Sequence, residues 1–349
     1  MPTPSNPDAP RGRPSRRAVL TVAGGAAAAA VAGGCLLEPG GGDRKGHDGP
    51  PPLSRLYRFQ RLTGPDRTVV RDARGRTLAV LTDGARTALM TGPARTFSEP
   101  RTTTATVRHG MWVRLMPAPW ARESADAAWF ARWFPQALTD RGPDVLAVAF
   151  QYAHGAPDRH DSSGLRYAGA ASYGPRTPGQ PGDSAHARQE GSDFYDYLGI
   201  PWTFPGSSAK PDRSRYGDVD CSGFMRLVWG YRMGFPLHGT NGPGPGLPRR
   251  AFAIAAYGPG ALLTRATSGP PADAGMLQPG DLVFFAIDSG HPSFVDHCGL
   301  YLGRDDAGHG RFYSSRIVAN GPTMGDVAGP SVIDGNSFYA QGFRAARRL

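Results

Sequence analysis

The feature that most constrains the fold is a cysteine at the start of a predicted helix. Residues 220–224 read DCSGF, and the apolar residues that follow recur at helical spacing up to Gly234. Cys221 therefore lies on the first turn, where the helix dipole and unpaired backbone N–H groups favour the thiolate, the form that attacks carbonyl groups. Asp220 falls at the predicted N-cap, where its carboxylate can bind free backbone amides. The pattern predicts an activated cysteine at a helix N-terminus.

Two predicted strands follow this helix. Residues 282–285 form an apolar run after a Pro-Gly turn, and residues 296–303 form a second strand after a loop. Because strand side chains alternate in direction, His297 and Cys298 point to opposite faces. If the face with Cys298 packs in the core, His297 faces a groove and can accept the proton of Cys221. The same alternation turns Cys298 away from Cys221, and a disulfide between the two cysteines is the alternative that an exported chain would permit.

Taken in this order, the three segments resemble a known family. The DCSGF box, the strand at 282–285 and the His-x-Gly-x-Tyr-Leu-Gly strand from His297 are similar to the NlpC (p-sixty) family of papain-like cell-wall cysteine endopeptidases. The resemblance spans residues 191–349. It implies an α+β fold of the papain-like type, in which the helix with the nucleophile packs on an antiparallel sheet. It also implies hydrolysis of peptidoglycan stem peptides, commonly between D-glutamate and a diamino acid, without a metal or an organic cofactor.

The resemblance also implies roles for individual residues. Cys221 is the expected nucleophile and His297 the expected base, and the backbone N–H of Cys221 belongs to the expected oxyanion hole. Trp202 stands where an aromatic residue, often tyrosine, lines the substrate groove. Asp220 and Ser222 match positions that often contact the N-terminal part of the substrate.

The residue that would orient the base departs from the family pattern. The family usually has a third polar residue, often histidine, on the next strand, and the predicted strand at 311–315 places Ser314 there. A hydroxyl can accept the imidazole N–H, but it stabilises an imidazolium less than a charged acceptor does. His309 is nearer the usual spacing but falls in a predicted turn, and Asn320 is a further candidate.

Two other functions stay open at this point. Ser314 in the third position would permit a catalytically weak or inactive wall-binding module of the same fold. A related thiol amidase or acyltransferase would use the same nucleophile. The reactivity of Cys221 separates these readings, because only the enzymes need an activated thiolate.

The first 35 residues are predicted to be an export signal. Arg16 and Arg17 precede an uncharged stretch rich in Ala, Gly and Val, which is the order of a secretory signal and resembles the twin-arginine type. The stretch is too short and too rich in small residues to favour a permanent membrane anchor. The residues before Cys35 resemble the box at which bacterial lipoproteins are cleaved and lipidated, with Ala32 where leucine is usual. Lipidation of Cys35 would tether the protein to the outer face of the cytoplasmic membrane, and ordinary cleavage nearby is the alternative.

The composition divides the mature chain into four predicted segments. A Pro/Gly-rich stretch reads as an extended tether, and short β-like runs followed by two predicted helices read as a small accessory α+β domain. A polar segment then reads as a linker before the peptidase domain. The predicted ranges are residues 36–54 for the tether, 55–155 for the accessory domain, 156–190 for the linker and 191–349 for the peptidase.

Charge and composition narrow the class of partner. The formal net charge is +10, and removal of the export signal leaves about +7 on the mature chain, which suits an anionic cell envelope. No Lys/Arg run is interleaved with aromatic residues, so nucleic acid is not an expected partner. His154, His160 and His186 fit no zinc-binding spacing, and no metal is expected. The chain is therefore predicted to be extracellular or associated with the cell wall.

Overall fold

The computed structural model describes residues 53–349. The predicted export signal, Cys35 within it, and residues 36–52 of the predicted tether lie outside the described residues. The described residues fall in one compact unit. None of the helices in that part of the chain is long and apolar enough to cross a membrane.

The first sheet is a meander of five antiparallel strands, each hydrogen-bonded to the next along the chain. Alternation of aliphatic and polar residues produces its two faces. Ala79 and Leu81, two residues apart, both point into the core. The strands are β1 (Arg58–Leu62), β2 (Arg67–Arg71), β3 (Thr77–Thr82), β4 (Thr87–Ser98) and β5 (Thr106–Leu115).

Two helices follow this first sheet in the chain and pack against it. Helix α1 (Ala128–Thr139) buries Phe130 and Phe134, which are four residues apart and so lie on one helical face. Helix α2 (Val145–Phe150) begins at Asp144, whose carboxylate accepts a backbone N–H of the first turn. The predicted strands-then-helices order of residues 55–155 matches these elements.

The segment predicted as a linker, residues 156–190, packs closely against the rest of the protein. It contains a short hairpin, β6 (Arg159–His160) and β7 (Arg166–Ala168), and it buries Tyr173 almost completely. Its backbone at Ser172 pairs with the residues just before the predicted nucleophile. This segment therefore contributes to the surroundings of the candidate site.

The second sheet has six strands in the order β10-β15-β11-β12-β13-β14, with every neighbouring pair antiparallel. The strands predicted at 282–285 and 296–303 are confirmed as β11 and β12. The protein is thus a mixed helix-and-sheet structure. The remaining elements are α3 (Phe194–Leu198), β8 (Trp202–Phe204), β9 (Ser207–Ala209), α4 (Cys221–Met225), α5 (Ala251–Tyr257), β10 (Ala261–Arg265), β11 (Leu282–Phe285), β12 (His297–Arg304), β13 (Gly310–Arg316), β14 (Gly321–Thr323), α6 (Phe338–Gly342) and β15 (Phe343–Arg348).

Helix α4 packs on β12 and β13, and its sequence explains how closely it does so. The predicted helix begins at Cys221 and continues beyond α4 as π-helical turns to Arg232. A Cβ added at Gly223 would lie 2.3 Å from the carbonyl oxygen of Ser192. The glycine of the DCSGF box is therefore required by the close approach of the preceding segment, and substitution there would push the helix out of place.

The second sheet has an apolar core on each face. Cys298 and Leu300 lie on the face covered by α4, in the large core that also includes Cys221. Tyr301 and Phe312 lie on the opposite face in a smaller core. The sheet is therefore sandwiched, and the first residues of β12 lie at the edge where α4 begins.

Candidate active site

Cys221 is the first residue of α4, and its side chain is only 6% exposed. The predicted N-cap is confirmed, because the Asp220 carboxylate accepts the Gly223 N–H at 2.7 Å. Such a cap typically contributes about 1 kcal/mol to stability. The Cys221 Sγ lies 3.8 Å from the backbone oxygen of Asp296, the residue just before β12. The helix therefore presents the thiol from its positive end to the start of that strand.

His297 is the first residue of β12 and is nearly buried. Its Nε2 lies 3.2 Å from the Ser314 Oγ on the neighbouring strand. The imidazole also packs beside the rings of Phe285 and Tyr339, with centroid distances of 6.0 and 5.6 Å. Because Nε2 is directed at Ser314, Nδ1 is the nitrogen left to exchange a proton with Cys221.

The surroundings of Cys221 favour its thiolate. A hydrogen bond from the Cys298 thiol lowers the pKa of Cys221 to about 6; burial opposes this shift, and the charge and hydrogen bonding of His297 support it. Burial raises the pKa of Cys298 well above its usual range, and the adjacent Cys221 raises it further. Cys298 therefore keeps its proton and donates it toward the Cys221 sulfur.

The prediction that strand alternation turns Cys298 away from Cys221 is wrong. Helix α4 lies over the face of β12 that carries Cys298, so that thiol contacts the helix N-terminus directly. His297, the first residue of that strand, interacts with the same sulfur through its charge and a hydrogen bond. The two thiols are free, so the alternative of a disulfide between them is not what the structure contains.

The pH dependence of alkylation tests this pair of thiols. We expect the rate at which iodoacetamide modifies Cys221 to rise through a midpoint near pH 6 and then level off, because the thiolate is lost as the pH falls through its pKa. Cys298→Ala removes the donated hydrogen bond and should move that midpoint to higher pH. The measurement is site-resolved peptide mass spectrometry over pH 4–10, which also separates Cys221 from Cys35.

Cys298→Ser is the matched control, since a hydroxyl still donates to the sulfur and should keep the midpoint low. A wild-type midpoint near the ordinary cysteine value of about 8.5 would contradict the assignment of an activated thiol. An unchanged midpoint in Cys298→Ala would contradict the role given to Cys298.

Of the three residues considered for orienting the base, Ser314 is the one that contacts His297. Its side chain is fully buried on β13. His309 lies half-exposed in the turn before β13, where its Nδ1 is 3.2 Å from the Asp334 carboxylate. Asn320 accepts a backbone N–H at 3.3 Å in the turn before β14. Geometry therefore favours Ser314 for this role.

A buried arginine that sequence reasoning missed shares the Ser314 hydroxyl. Arg316 is 2% exposed, and its Nε donates to the Ser314 Oγ at 3.2 Å. Its guanidinium lies 4.1 Å from the centre of the Tyr339 ring, and within residues 53–349 it forms no ion pair. One hydroxyl thus separates a buried cation from the imidazole. Nothing in the local sequence distinguishes Arg316 from the many other arginines of the chain.

A groove of about 290 Å³ opens beside Cys221. One wall is polar, and the other includes Phe252 and Phe294, whose ring centroids are 5.3 Å apart. Phe294 is half-exposed, so it offers apolar surface to a ligand. The residues that line the groove with Cys221 are Glu190, Asp220, Ser222, Arg250, Ala251, Phe252, Phe294, Val295 and Asp296.

Asp220 and Ser222 border this groove, but a second missed arginine already binds their side chains. Arg249 donates to the Asp220 carboxylate at 2.7 Å and to the Ser222 Oγ at 2.9 Å. Burial raises the pKa of Asp220, but Arg249 and backbone N–H groups more than offset this and hold that pKa below its usual value. The Asp220 charge is thus compensated within the protein. Arg249 could not be found from the sequence because it lies 28 residues beyond the nucleophile, with no pattern linking the two.

Trp202 does not line the groove in the structure. Its ring packs edge-on against Phe194 and Tyr231, at 5.0 and 5.9 Å. The aromatic residue close to the thiol is Tyr173, from the segment predicted as a linker. Burial raises the pKa of Tyr173 well above its usual range, and the charges of Cys221 and Glu190 raise it further. The tyrosine was missed because its segment is polar and irregular, which concealed its packing.

A free cysteine at a helix N-terminus, beside a histidine on an antiparallel sheet, is the arrangement of a cysteine hydrolase. Residues 199–325 match the NlpC/P60 family. The resemblance inferred from the motifs is therefore confirmed over this stretch of the chain. Proteins of that family are, at a coarse level, cell-wall hydrolases or peptidases that act on peptidoglycan. Members are generally cysteine peptidases, and some are inactive.

Solved structures that are similar to this chain carry the same family description. An NlpC/P60 family protein from Bacillus cereus ATCC 10987 is 24% identical over 38% of this chain and 32% of that chain, with a TM-score of 0.24. A Staphylococcus aureus protein described as similar to lipoprotein, NLP/P60 family, is 17% identical over 63% of this chain and 48% of that chain, with a TM-score of 0.26. NlpC1 from Trichomonas vaginalis is 15% identical over 81% and 76% of the two chains, with a TM-score of 0.29.

The chain thus spans about a third of the length of the Bacillus cereus protein and about half of the Staphylococcus aureus one. The comparison with curated proteins found no match.

Proposed function

We propose that this protein is a cysteine endopeptidase that hydrolyses peptidoglycan stem peptides, at the bond between D-glutamate and a diamino acid. The observation that carries the proposal is the surroundings of Cys221, a free thiol whose pKa is lowered to about 6 at a helix N-terminus, beside His297 and a groove. The choice of substrate rests on the family of residues 199–325.

The chemistry follows from the positions of these groups. The Cys221 thiolate attacks the carbonyl carbon, and the new oxyanion is stabilised by the backbone N–H of Cys221 at the helix N-terminus. The His297 imidazolium gives its proton to the leaving amine as the C–N bond breaks, which leaves a thioester. The imidazole then takes a proton from water, the hydroxide attacks the thioester, and the C–S bond breaks to restore the thiolate. Ser314 orients the ring through Nε2.

The groove suits a peptide that carries both charge and apolar surface. Glu190 and Arg250 are partly exposed at its rim and lie 3.3 Å apart, so either can exchange its partner for a substrate group. Phe294 supplies apolar surface opposite. Asp220 and Ser222 border the substrate and also hold Arg249 in place. Tyr173 lies buried beside the thiol and does not line the groove.

The remaining sequence inferences extend this proposal to the whole chain. We propose that residues 1–35 direct export, that lipidation of Cys35 provides the membrane contact, and that residues 36–54 form a tether. The protein then acts outside the cytoplasmic membrane, where its positive charge suits an anionic envelope. Residues 55–155 form an accessory unit, and residues 191–349 form the peptidase. Thiol-dependent hydrolysis of this kind requires no metal or organic cofactor.

An inactive wall-binding module of the same fold is a second candidate, and Arg316 favours it. Arg316 donates to the same Ser314 hydroxyl that contacts His297, so this hydroxyl is a weaker partner for the imidazole than an unshared acceptor. The same geometry therefore supports either a slow enzyme or a binding protein, and turnover decides between them.

Turnover is tested with defined muropeptides. We expect the protein to release fragments that begin with the diamino acid, because the thiolate attacks the D-glutamyl carbonyl. Mass spectrometry of the products identifies the bond, and protein alkylated beforehand at Cys221 is the control. Intact muropeptides after long incubation would contradict the peptidase, provided that rapid alkylation of Cys221 at pH 7 shows the site to be folded.

A further inference from the structure

A second cavity, larger than the groove, lies where α1, α2, the end of β5 and the end of the π-helical segment meet. Its volume is about 670 Å³, within the range of cavities that hold small-molecule ligands. It shares none of its lining residues with the groove beside Cys221. Its ionisable lining consists of Arg86, Arg114, Arg232 and a single carboxylate, Asp140.

Two of these arginines have no carboxylate partner within residues 53–349. Arg114 pairs with Asp140 at 3.0 Å, which uses the carboxylate of the cavity. Arg232 donates to the Gln151 side-chain oxygen at 2.9 Å and to the Tyr152 hydroxyl at 3.0 Å. Burial raises the pKa of Tyr152 to about 12, so that partner is neutral at pH 7.

Of the three arginines, Arg86 has the fewest hydrogen-bond partners. Its Nε donates to the backbone oxygen of Met116 at 2.9 Å, and one face of its guanidinium lies 5.4 Å from the centre of the Phe235 ring. Within the described residues, its two terminal nitrogens form no hydrogen bond or ion pair. Because the Phe235 ring covers only one face of the guanidinium, the N–H groups along its edge are free to donate hydrogen bonds. This is the geometry in which arginine binds oxyanions. Burial lowers the pKa of Arg86, as expected for a half-buried cation without an acid beside it.

Arg86 and Arg232 therefore give the cavity lining two positive charges without a carboxylate partner among residues 53–349, and an anion is the ligand that complements them. A phosphate monoester carries about −1.5 to −2 at pH 7, so one such group balances both arginines. A carboxylate balances only one. The cavity is also much larger than a phosphate, and Met116, Trp133 and Met233 give it apolar walls.

We propose that this cavity is a binding site for an organic phosphate monoester, with Arg86 and Arg232 binding the phosphate and the apolar walls contacting the organic part. The site is independent of the proposed peptidase, since the two cavities share no residue.

Isothermal titration calorimetry at constant ionic strength tests the proposal, with inorganic phosphate and phenyl phosphate as the two probes. We expect saturable binding of both to the full chain, with phenyl phosphate tighter because its ring contacts the apolar walls. Arg86→Gln and Arg232→Gln should each weaken phenyl phosphate at least tenfold. Arg74→Gln is the matched control, because Arg74 is exposed and does not line the cavity, and the affinity of this variant for phenyl phosphate should equal that of the wild type.

Unchanged alkylation of Cys221 verifies that each variant is folded. Absence of saturable binding, or equal weakening in Arg74→Gln, would overturn the site. Equal affinity for the two probes would overturn the assignment of an organic part.

Discussion

Replacing Cys221 with alanine is expected to lower the rate of stem-peptide hydrolysis about 10⁴- to 10⁶-fold. The thiolate forms the covalent bond to the substrate, and Cys298, the other thiol of residues 53–349, cannot replace it. Cys298 is fully buried, and its pKa is raised well above the usual range, so it stays protonated. The measurement is the release of fragments from purified cell wall, followed by mass spectrometry.

Cys298→Ala is the matched control for this loss. It removes a buried thiol from the same core and from contact with Cys221, so it perturbs packing to a similar degree. We expect Cys298→Ala to keep hydrolysis at pH 8, where the Cys221 thiolate remains accessible even with a raised pKa. Hydrolysis retained by Cys221→Ala at more than a hundredth of the wild-type rate would eliminate Cys221 as the nucleophile.

The parts of the site that sequence reasoning predicted well are those set by local chemistry. The N-cap at Asp220 and the helix start at Cys221 follow from residues adjacent in the chain. The strands β11 and β12 follow from short apolar runs bounded by turns, and strand order places Ser314 near the base. Each of these needs information from only a few neighbouring residues.

The parts that were missed depend on how distant segments pack. Alternation gave the correct faces of β12, but it could not say which face α4 covers, and so it misplaced Cys298 relative to Cys221. Tyr173 and Arg249 reach the site from segments without a regular pattern, 48 residues before and 28 residues after the nucleophile. Tertiary contact of this kind leaves no periodic signal in the sequence.

Replacing His297 with alanine is expected to lower the hydrolysis rate about 10²- to 10⁴-fold, the usual contribution of general acid–base catalysis. The loss has two causes. The leaving amine no longer receives a proton, and the Cys221 thiolate loses the charge and hydrogen bond of the imidazole, which raises the pKa of Cys221. The measurements are the rate of fragment release and the pH midpoint of Cys221 alkylation, which should move upward together with the loss of rate.

His291→Ala is the matched control. His291 lies in the loop that leads into β12 and pairs with Asp288 at 2.9 Å, but it is exposed and does not line the groove. Its removal should change neither the rate nor the midpoint. Fragment release by His297→Ala at the wild-type rate would remove the imidazole from the mechanism. A fall in rate without a shift of the midpoint would contradict the electrostatic coupling between His297 and Cys221.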